Sequence, residues 1–391
     1  MITYEEARHI ISESVHLLGT EEVSINKSLH RILAEDIISD INIPPFNKSA
    51  MDGYACSRTD LKNVLEVLEF IPAGKMPTKI IQLNQCSKIM TGAPVPEGAD
   101  CVIMVEQTEI IAENKIRFTA SDTSNNIAYK AEDVSKGDVV LTKGTILYPP
   151  HIAVMASVGC SNPIVSKQPK IAVISTGDEI IEPNQIPGPS QIRNSNAYQL
   201  IAQINKLNCI PIYMGIAPDK PEETKKIITQ ALQEADVILL TGGVSMGDYD
   251  FIPQVLKEKN IDIKFQKLMV RPGSPTVFGI HNKQSIFGLP GNPVSSFVIF
   301  EMIVKPFLYQ LMGCSSNIKN IKLPLAANFK RNKTDRLNWI PVTINDAGEA
   351  QLISYHGSGH IHSYCFAEGI MTIPIGIKEI KKGELVNVRP L

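Results

Sequence analysis

STGDE (175–179), TGGVSMGDYD (241–250) and GLPGNPVS (288–295) are three glycine-bearing segments, and their reading decides the fold. Each follows a short apolar run with the composition of a buried strand, and each leads toward an amphipathic stretch of helical period. Strand, loop and helix repeated in this way predict an open α/β sheet, which binds its ligands at the carboxyl ends of the strands. Glycine lets backbone N–H groups approach an anion, and the helix N-terminus that follows adds positive potential. Carboxylates in two of these loops would repel that anion unless a divalent cation sat between. The pattern points to a metal-assisted site for a phosphate-bearing small molecule, with Glu179, Asp248 and Asp250 as acidic candidates. Glu179 and Asp250 are the pair expected to hold Mg²⁺, which takes one or two carboxylates and fills its shell with water and phosphate oxygens. Capping a helix or turn is the other role open to Asp178 and Glu179 taken singly.

Outward from these loops, strands are expected at 171–175, 209–215, 236–241, 276–280 and 285–288, with helices near 194–206, 221–234, 251–258 and 293–312. Together they make a doubly wound α/β domain over 169–315. Thr3-Tyr4-Glu5-Glu6 has the form of a capping box, followed by a stripe of Ala7, Ile10, Ile11, Val15 and Leu18. The short runs VLEVLEFI, CVIMVEQTEII, KIRFTA and DVVLT alternate with glycine and proline turns, so a small mostly-β module is expected from about residue 63 to 145. Pro149 and Pro150 open a further helical pattern. Beyond 316 the runs KLPLAANF, LNWIPVTI, AQLISY, GIMTIPI and LVNVRP predict a terminal β module.

Composition narrows the function. The 391 residues call for more than one domain, and a formal net charge of −2 provides no field for nucleic acid or an anionic membrane. No run approaches the roughly 18 uninterrupted apolar residues of a membrane span, and the acidic N-terminus is no secretory signal, so a cytoplasmic protein is expected. The seven cysteines are scattered without close pairs, which argues against zinc fingers and disulfide scaffolds and for buried small hydrophobes. His356, His360 and His362 would share one face of a strand, but HGSGHIHSY is broken by glycines. No GxSxG elbow, Walker A loop or HExxH occurs. In KLMVRPGSPTVFG (267–279), Pro272-Gly273 forces a turn around which Lys267, Arg271 and Ser274 can offer cationic and hydroxyl donors, unless Arg271 is only a surface charge.

Along its length and in the same order, the chain resembles the molybdopterin molybdenumtransferases, the MoeA family that includes the gephyrin E domain. The resemblance is carried by PPFNKSAMDGYA (44–55), IMTGAPVPEGADCVIMVE (89–106), ISTGDE (174–179), TGGVSMGDYD (241–250), RPGSPTVFG (271–279), GLPGNPVS (288–295) and GSGHIHS (357–363). It implies insertion of molybdenum from molybdate into adenylylated molybdopterin, with release of AMP and help from Mg²⁺ or Zn²⁺. It also implies an elongated four-domain chain: a linking domain from 1–43 and 141–168, an inserted β domain at 44–140, a MogA-like α/β domain at 169–315 and a C-terminal β-barrel-like domain at 316–391. A homodimer is implied, with transient contact to the molybdopterin adenylyltransferase and to apo-molybdoenzymes.

By motif, the resemblance assigns catalytic roles to Asp52, Thr91, Glu179, Asp219, Asp250 and Lys267. It places Gly177, Gly242, Gly243, Ser245, Arg271, Ser274, Gly291, Asn292, Ser295, Arg336 and Ser358 around the substrate and its oxyanion. Two departures stand out. The family's KPGKP turn is here Arg271-Pro-Gly-Ser274-Pro, and its NIRxxGED segment is here Asn126 to Asp133, with Lys130 as a substitute cation. The Ser274 change leaves open a paralogue that handles tungstate or has lost part of the activity, and a receptor-clustering scaffold or the adenylylating enzyme itself are further readings.

Overall fold

The structure, a computed structural model, describes residues 1–243, 252–314, 319–354, 357 and 359–391. The chain forms two compact units: Met1–Glu35, Lys143–Tyr148 and Pro163–Leu391 make one, and Asp36–Thr142 with Pro149–Asn162 make the other. Helix α1 (Tyr4–Glu13) begins as its sequence dictates. Thr3 Oγ1 accepts from the Glu6 amide at 3.2 Å, and Glu6 Oε2 accepts from the Thr3 amide at 2.7 Å.

The smaller unit is built on strands β1 (Gly53–Cys56), β2 (Val64–Ile71), β3 (Gln85–Ile89), β4 (Cys101–Met104), β5 (Thr108–Ala112) and β6 (Lys115–Phe118) in the order β4-β1-β3-β2-β6-β5. The run 101–111, expected as one strand, is two, split by a turn at Val105–Gln107. Alternation sends Tyr54 and Cys56 into one apolar cluster and Ala55 into another, so β1 is buried on both faces. Helix α2 (Pro149–Ser157) belongs to this unit, and Val139–Leu141 pairs with Ile37–Ile38. Gly53 allows β4 to close on β1, for a Cβ there would lie 1.9 Å from the Ile103 carbonyl oxygen.

The larger unit holds β7 (Lys170–Thr176), α3 (Ser195–Lys206), β8 (Ile210–Ala217), α4 (Pro221–Glu234), β9 (Val237–Thr241), α5 (Ile252–Glu258), β10 (Asp262–Phe265), β11 (Val277–His281), β12 (Gln284–Leu289) and α6 (Pro293–Ile299). The sheet order is β8-β7-β9-β12-β11-β10, with β8, β7, β9 and β12 parallel and β11 antiparallel to both of its neighbours, β12 and β10. The chain passes from β7 to β8 on one side, then crosses to β9 on the other, so the topological switch point lies between β7 and β9. β9 is apolar from Val237 to Leu240 because both faces are covered. Val237 and Leu239 pack on the α3 side with Leu200 and Ile204, while Ile238 and Leu240 pack with Ile228, Ala231, Val255 and Leu256. Each such fully buried aliphatic side chain contributes about 1.5–3 kcal/mol. β10 was not anticipated: Asp262-Ile263-Lys264-Phe265 is too short and too charged to carry a strand signal, and it forms by pairing at the sheet edge.

The stretch expected as one helix at 293–312 continues from α6 through a π-helical turn, Phe300–Val304, into α7 (Lys305–Leu311). Pro306 causes the widened turn, since in a regular helix its ring would meet the Met302 carbonyl. That carbonyl instead accepts from the Tyr4 hydroxyl at 3.2 Å. The helical stretch Pro293–Leu311 is, among the described residues, the one long and apolar enough to cross a membrane, but 72% of it is buried in the fold. Within it Glu301 is buried, 2.8 Å from Lys305 Nζ, and its Oε1 accepts from Gln203 of α3 at 2.9 Å.

Strands β13 (Ile321–Pro324), β14 (Leu337–Ile344), β15 (Ala350–Leu352), β16 (Gly369–Ile373) and β17 (Leu385–Pro390) form the terminal sheet in the order β14-β16-β17-β13, with β15 against β14. The short strand Val270–Arg271 joins this sheet beside β14, in parallel register with Leu337 and Asn338. Ile361–Phe366 is a 3₁₀ turn, so the histidines at 360 and 362 do not sit on an alternating strand.

Candidate functional site

A cleft of about 660 Å³ opens at the carboxyl ends of β7, β9 and β12, at the switch point. The glycines there are required by the backbone. Gly177, Gly242 and Gly243 have φ of +139°, +98° and +62°. A Cβ on Gly242 would lie 2.6 Å from the Thr176 carbonyl oxygen, and one on Gly177 would lie 2.5 Å from Glu179 Oε2. The exposed Glu179 carboxylate is thus folded back over Gly177, at the mouth of the first loop. Across from it Asp219 and Asp178 latch the β7 and β8 loops together. The Asp219 amide donates to Asp178 Oδ1 at 3.0 Å, and the Asp178 amide donates to Asp219 Oδ2 at 3.3 Å. Gly177, Glu179, Asp219, Gly242, Gly243, Gly291 and Asn292 all line this one space.

The structure adds residues that sequence reasoning passed over. The N-terminus of α3 opens into the cleft, and Arg193, Asn194, Ser195 and Asn196 line it. Asn194 caps the helix, its Oδ1 accepting from the Ala197 amide at 3.2 Å and from Ser175 Oγ at 2.9 Å. Asn196 Nδ2 donates to Thr241 Oγ1 at 2.9 Å and to the Gly291 carbonyl at 2.7 Å, tying the β9 and β12 loops to α3. Its Oδ1 is buried and has no hydrogen-bond partner among the described residues. The signal available in sequence was Asn-Ser-Asn at the start of a helical pattern, an N-cap signature. The cleft therefore combines backbone donors held near glycine, a capped helix N-terminus and two carboxylates, a set suited to an anion approached together with a cation.

The other expected residues lie elsewhere. Ser295 is buried in α6 and does not line the cleft. Lys267, Arg271, Ser274 and Arg336 do not line it either, although Pro275 does. Ser274 Oγ donates to the Leu268 carbonyl at 2.8 Å, so this hydroxyl closes its own turn. Arg271 is exposed, and Arg336 Nε lies 3.5 Å from Asp335, just ahead of the residue that pairs with Val270. Arg271 is thus on a strand of the terminal sheet, and Arg336 is the residue that leads into the strand beside it. Ser245, Asp248, Asp250, His356 and Ser358 fall outside the described residues.

In the smaller unit, Asp52 and Thr91 meet each other. Asp52 Oδ1 accepts from the Thr91 amide at 2.7 Å and from Thr91 Oγ1 at 2.8 Å. These bonds, the amide first, hold the Asp52 carboxyl below its ordinary range. Lys130 is exposed, its amide bonded to Asn47 Oδ1 at 2.9 Å. Five of the seven cysteines are buried, as the apolar context of several predicts. Burial pushes the Cys86 and Cys209 thiols up to about 12. No group of three or more metal-binding side chains occurs among the described residues.

A doubly wound α/β sheet with glycine loops and a helix N-terminus converging at its switch point defines a binder of phosphate-bearing small molecules, here joined to further β sheets. Sequence profiles identify which one. MoeA N-terminal region (domain I and II) matches residues 2–159, a probable molybdopterin binding domain matches 172–310, and MoeA C-terminal region (domain IV) matches 322–391. A molybdopterin molybdenumtransferase of Staphylococcus epidermidis is 34% identical over 98% of this chain and 94% of its own length, and one of Staphylococcus aureus is 34% identical over 99% and 95%. The crystal structure of a molybdopterin biosynthesis MoeA protein from Pyrococcus horikoshii OT3 superposes with a TM-score of 0.85 at 30% identity, covering all of both chains. The chain belongs to the MoeA family of molybdopterin molybdenumtransferases.

Proposed function

We propose that this chain performs the final step of molybdenum cofactor synthesis, inserting molybdenum from molybdate into adenylylated molybdopterin and releasing AMP. The observation that carries the reading is the meeting of Gly177, Glu179, Gly242, Gly243, Gly291 and the α3 N-terminus in one cleft. The phosphoanhydride of the substrate would lie against the loop backbones and the α3 N-terminus, where amide donors and the helix dipole favour negative charge. Asn196 keeps the two loops facing each other, and the cap on Asn194 keeps the helix end open toward the ligand.

The donor set fits Mg²⁺, which needs one or two carboxylates and takes substrate oxygens for the rest. Among the described residues it does not fit Zn²⁺ in a catalytic site, where three protein ligands are usual. Glu179 would hold the ion, with Asp250 as the second carboxylate. Once bound, the ion supplies positive charge that polarises the phosphoanhydride. Arg271, and Arg336 just ahead of the neighbouring strand, would bind the molybdate dianion through planar donor forks, with Ser358 and Lys267 contributing. Ser274, turned onto Leu268, offers less to that oxyanion than a cation would. Asp52, whose carboxyl Thr91 holds below its ordinary range, is the residue of the smaller unit to which we give a catalytic role. We further propose a cytoplasmic homodimer of four-domain chains that receives its substrate from the adenylyltransferase and passes the product to apo-molybdoenzymes.

The test is AMP release from adenylylated molybdopterin with Mg²⁺, with and without molybdate, alongside reconstitution of an apo-molybdoenzyme. Molybdate-dependent release with gain of enzyme activity supports the reading, and equal release without molybdate sinks the coupling. Glu179→Gln should slow release about 100-fold, the scale of one lost electrostatic contact to developing charge, with the melting temperature unchanged.

A further inference from the structure

In the terminal β module Arg331 is only 8% exposed, and main-chain carbonyls surround its guanidinium. Its Nε donates to the Ile377 carbonyl at 2.7 Å, its Nη1 to the Arg336 carbonyl at 3.0 Å and its Nη2 to the Pro374 carbonyl at 2.5 Å. Burying a cation in this way costs desolvation that an apolar side chain of similar volume would avoid. What the arginine supplies is geometry, since its planar fork gathers carbonyls from two loops onto one side chain.

The loop it fixes runs from 331 to 336. At its start Phe329–Lys330 pairs with Glu379–Ile380, and the Arg331 amide donates to the Lys378 carbonyl at 3.0 Å. Midway the Gly376 amide donates to the Thr334 carbonyl at 2.9 Å. At its end the Leu337 amide donates to the Met269 carbonyl at 2.9 Å, where β14 meets the strand that carries Arg271. Arg336 is the last residue before that seam. Its Nε lies 3.5 Å from Asp335, too far for a good hydrogen bond, and its side chain is 39% exposed. Among the described residues its guanidinium donates no hydrogen bond. One arginine is thus tied to the main chain, and the next, five residues on, keeps its donors open.

We propose that Arg331 is a positioning residue for the oxyanion subsite: by holding the Arg336 carbonyl, it fixes the backbone from which the Arg336 fork reaches molybdate. The proposal rests on the reading of Arg336 as an oxyanion residue. The coupling is short, because the carbonyl that Arg331 holds belongs to the same residue whose side chain meets the anion. A fork bound through two parallel N–H bonds depends on its direction, so a turn of the Arg336 backbone loses contact that added charge does not restore. The tether also keeps Arg336 from Asp335. With the loop released, that pair can close into a full ion pair, and the Asp335 carboxylate then competes with the oxyanion for the same donors.

Equilibrium dialysis of molybdate against the full chain, with the molybdate dependence of AMP release measured beside it, tests this. The proteins are wild type, Arg331→Met, Arg331→Lys, Arg336→Ala and the double variant Arg331→Met with Arg336→Ala. Arg331→Met should raise the molybdate Kd and KM about tenfold, within the range for residues of one hydrogen-bonded network, with kcat little changed. Arg331→Lys keeps the charge but not the fork, and should lie between it and wild type. The double variant should bind molybdate no more weakly than Arg336→Ala alone, which a merely structural role would not produce. Unchanged molybdate binding in Arg331→Met overturns the proposal, and if that variant does not fold, wild-type affinity in Arg331→Lys does so. Additive losses in the double variant also overturn it, since Arg331 would then act on something other than Arg336. An Arg336→Ala protein with wild-type molybdate affinity would instead overturn the reading of Arg336, and this proposal with it.

Discussion

The two units build their polar sites in opposite ways. In the larger unit the site is mostly backbone: parallel strands end side by side, glycines take positive φ, and side chains such as Asn196 act by holding loops in place. In the smaller unit the named site is a side-chain pair, Asp52 and Thr91, at the end of a short antiparallel strand. Gly53 beside it serves strand closure and not ligand approach. A glycine therefore carries different information in the two places. At 242 it marks where a ligand can reach the main chain, and at 53 it marks where one strand meets another.

Substitutions should separate these meanings. The largest effect is expected from Gly53→Ala, whose new methyl would meet the Ile103 backbone at 1.9 Å. Overpacking against a neighbouring strand should cost about 3 kcal/mol or more. Thermal unfolding should show an early transition, while pyrophosphate binding to the larger unit persists. Loss of both together would mean that the units do not unfold separately. Gly242→Ala comes next. A φ of +98° and a contact of 2.6 Å to the Thr176 carbonyl should cost about 1–3 kcal/mol. Here pyrophosphate binding should vanish in a protein that still melts cooperatively, and retained affinity would break the comparison.

Asn196→Ala removes two hydrogen bonds, each contributing about 0.5–1.5 kcal/mol. Its expected signature is a raised KM for adenylylated molybdopterin with a smaller change in kcat, because it loosens loops that bind. The smallest effect belongs to Thr91→Ala. The Thr91 amide still donates to Asp52, so only part of the downward pKa shift should be lost. Asp52 has a folded pKa below its unfolded one, so its stabilisation is complete above the unfolded pKa and fades as pH falls through the folded one. In Thr91→Ala that fading should begin at higher pH, and carboxyl NMR titration of Asp52 should show the rise. An unmoved Asp52 would show that the hydroxyl contributes nothing.

Much of the α/β domain was legible because its signals are local. Apolar runs gave β7, β8, β9, β11 and β12 to within about two residues, the usual boundary error or better. The capping box at Thr3 and the glycine loops are short patterns with direct physical causes. What escaped depends on distant partners. Asn196 looks like an ordinary helix-start residue until Gly291, ninety-five positions on, supplies its acceptor. Arg271 and Ser274 sit in a turn whose residues look exposed and donor-rich, yet Val270–Arg271 pairs with the terminal sheet and Ser274 turns inward. Arg331 carries no motif, since a loop arginine becomes a clamp only when the Pro374 and Ile377 carbonyls, 43 and 46 positions on, fold against it. For Ser245, Asp250 and Ser358 the resemblance speaks and the described geometry does not.

The node at Glu301 has a consequence for how the protein is made. Its carboxylate meets Gln203 of α3, the helix whose first turn forms the cleft wall, and its carbonyl accepts from Arg389 Nη1 at 3.2 Å. A ribosome delivers the loops of the cleft long before residue 389. During that interval the apolar helical stretch Pro293–Leu311 lacks the hydrogen bond that Arg389 brings to the Glu301 carbonyl. Nascent chains arrested before β17 should therefore be the ones that hold a chaperone longest, although every residue lining the cleft has already been synthesised.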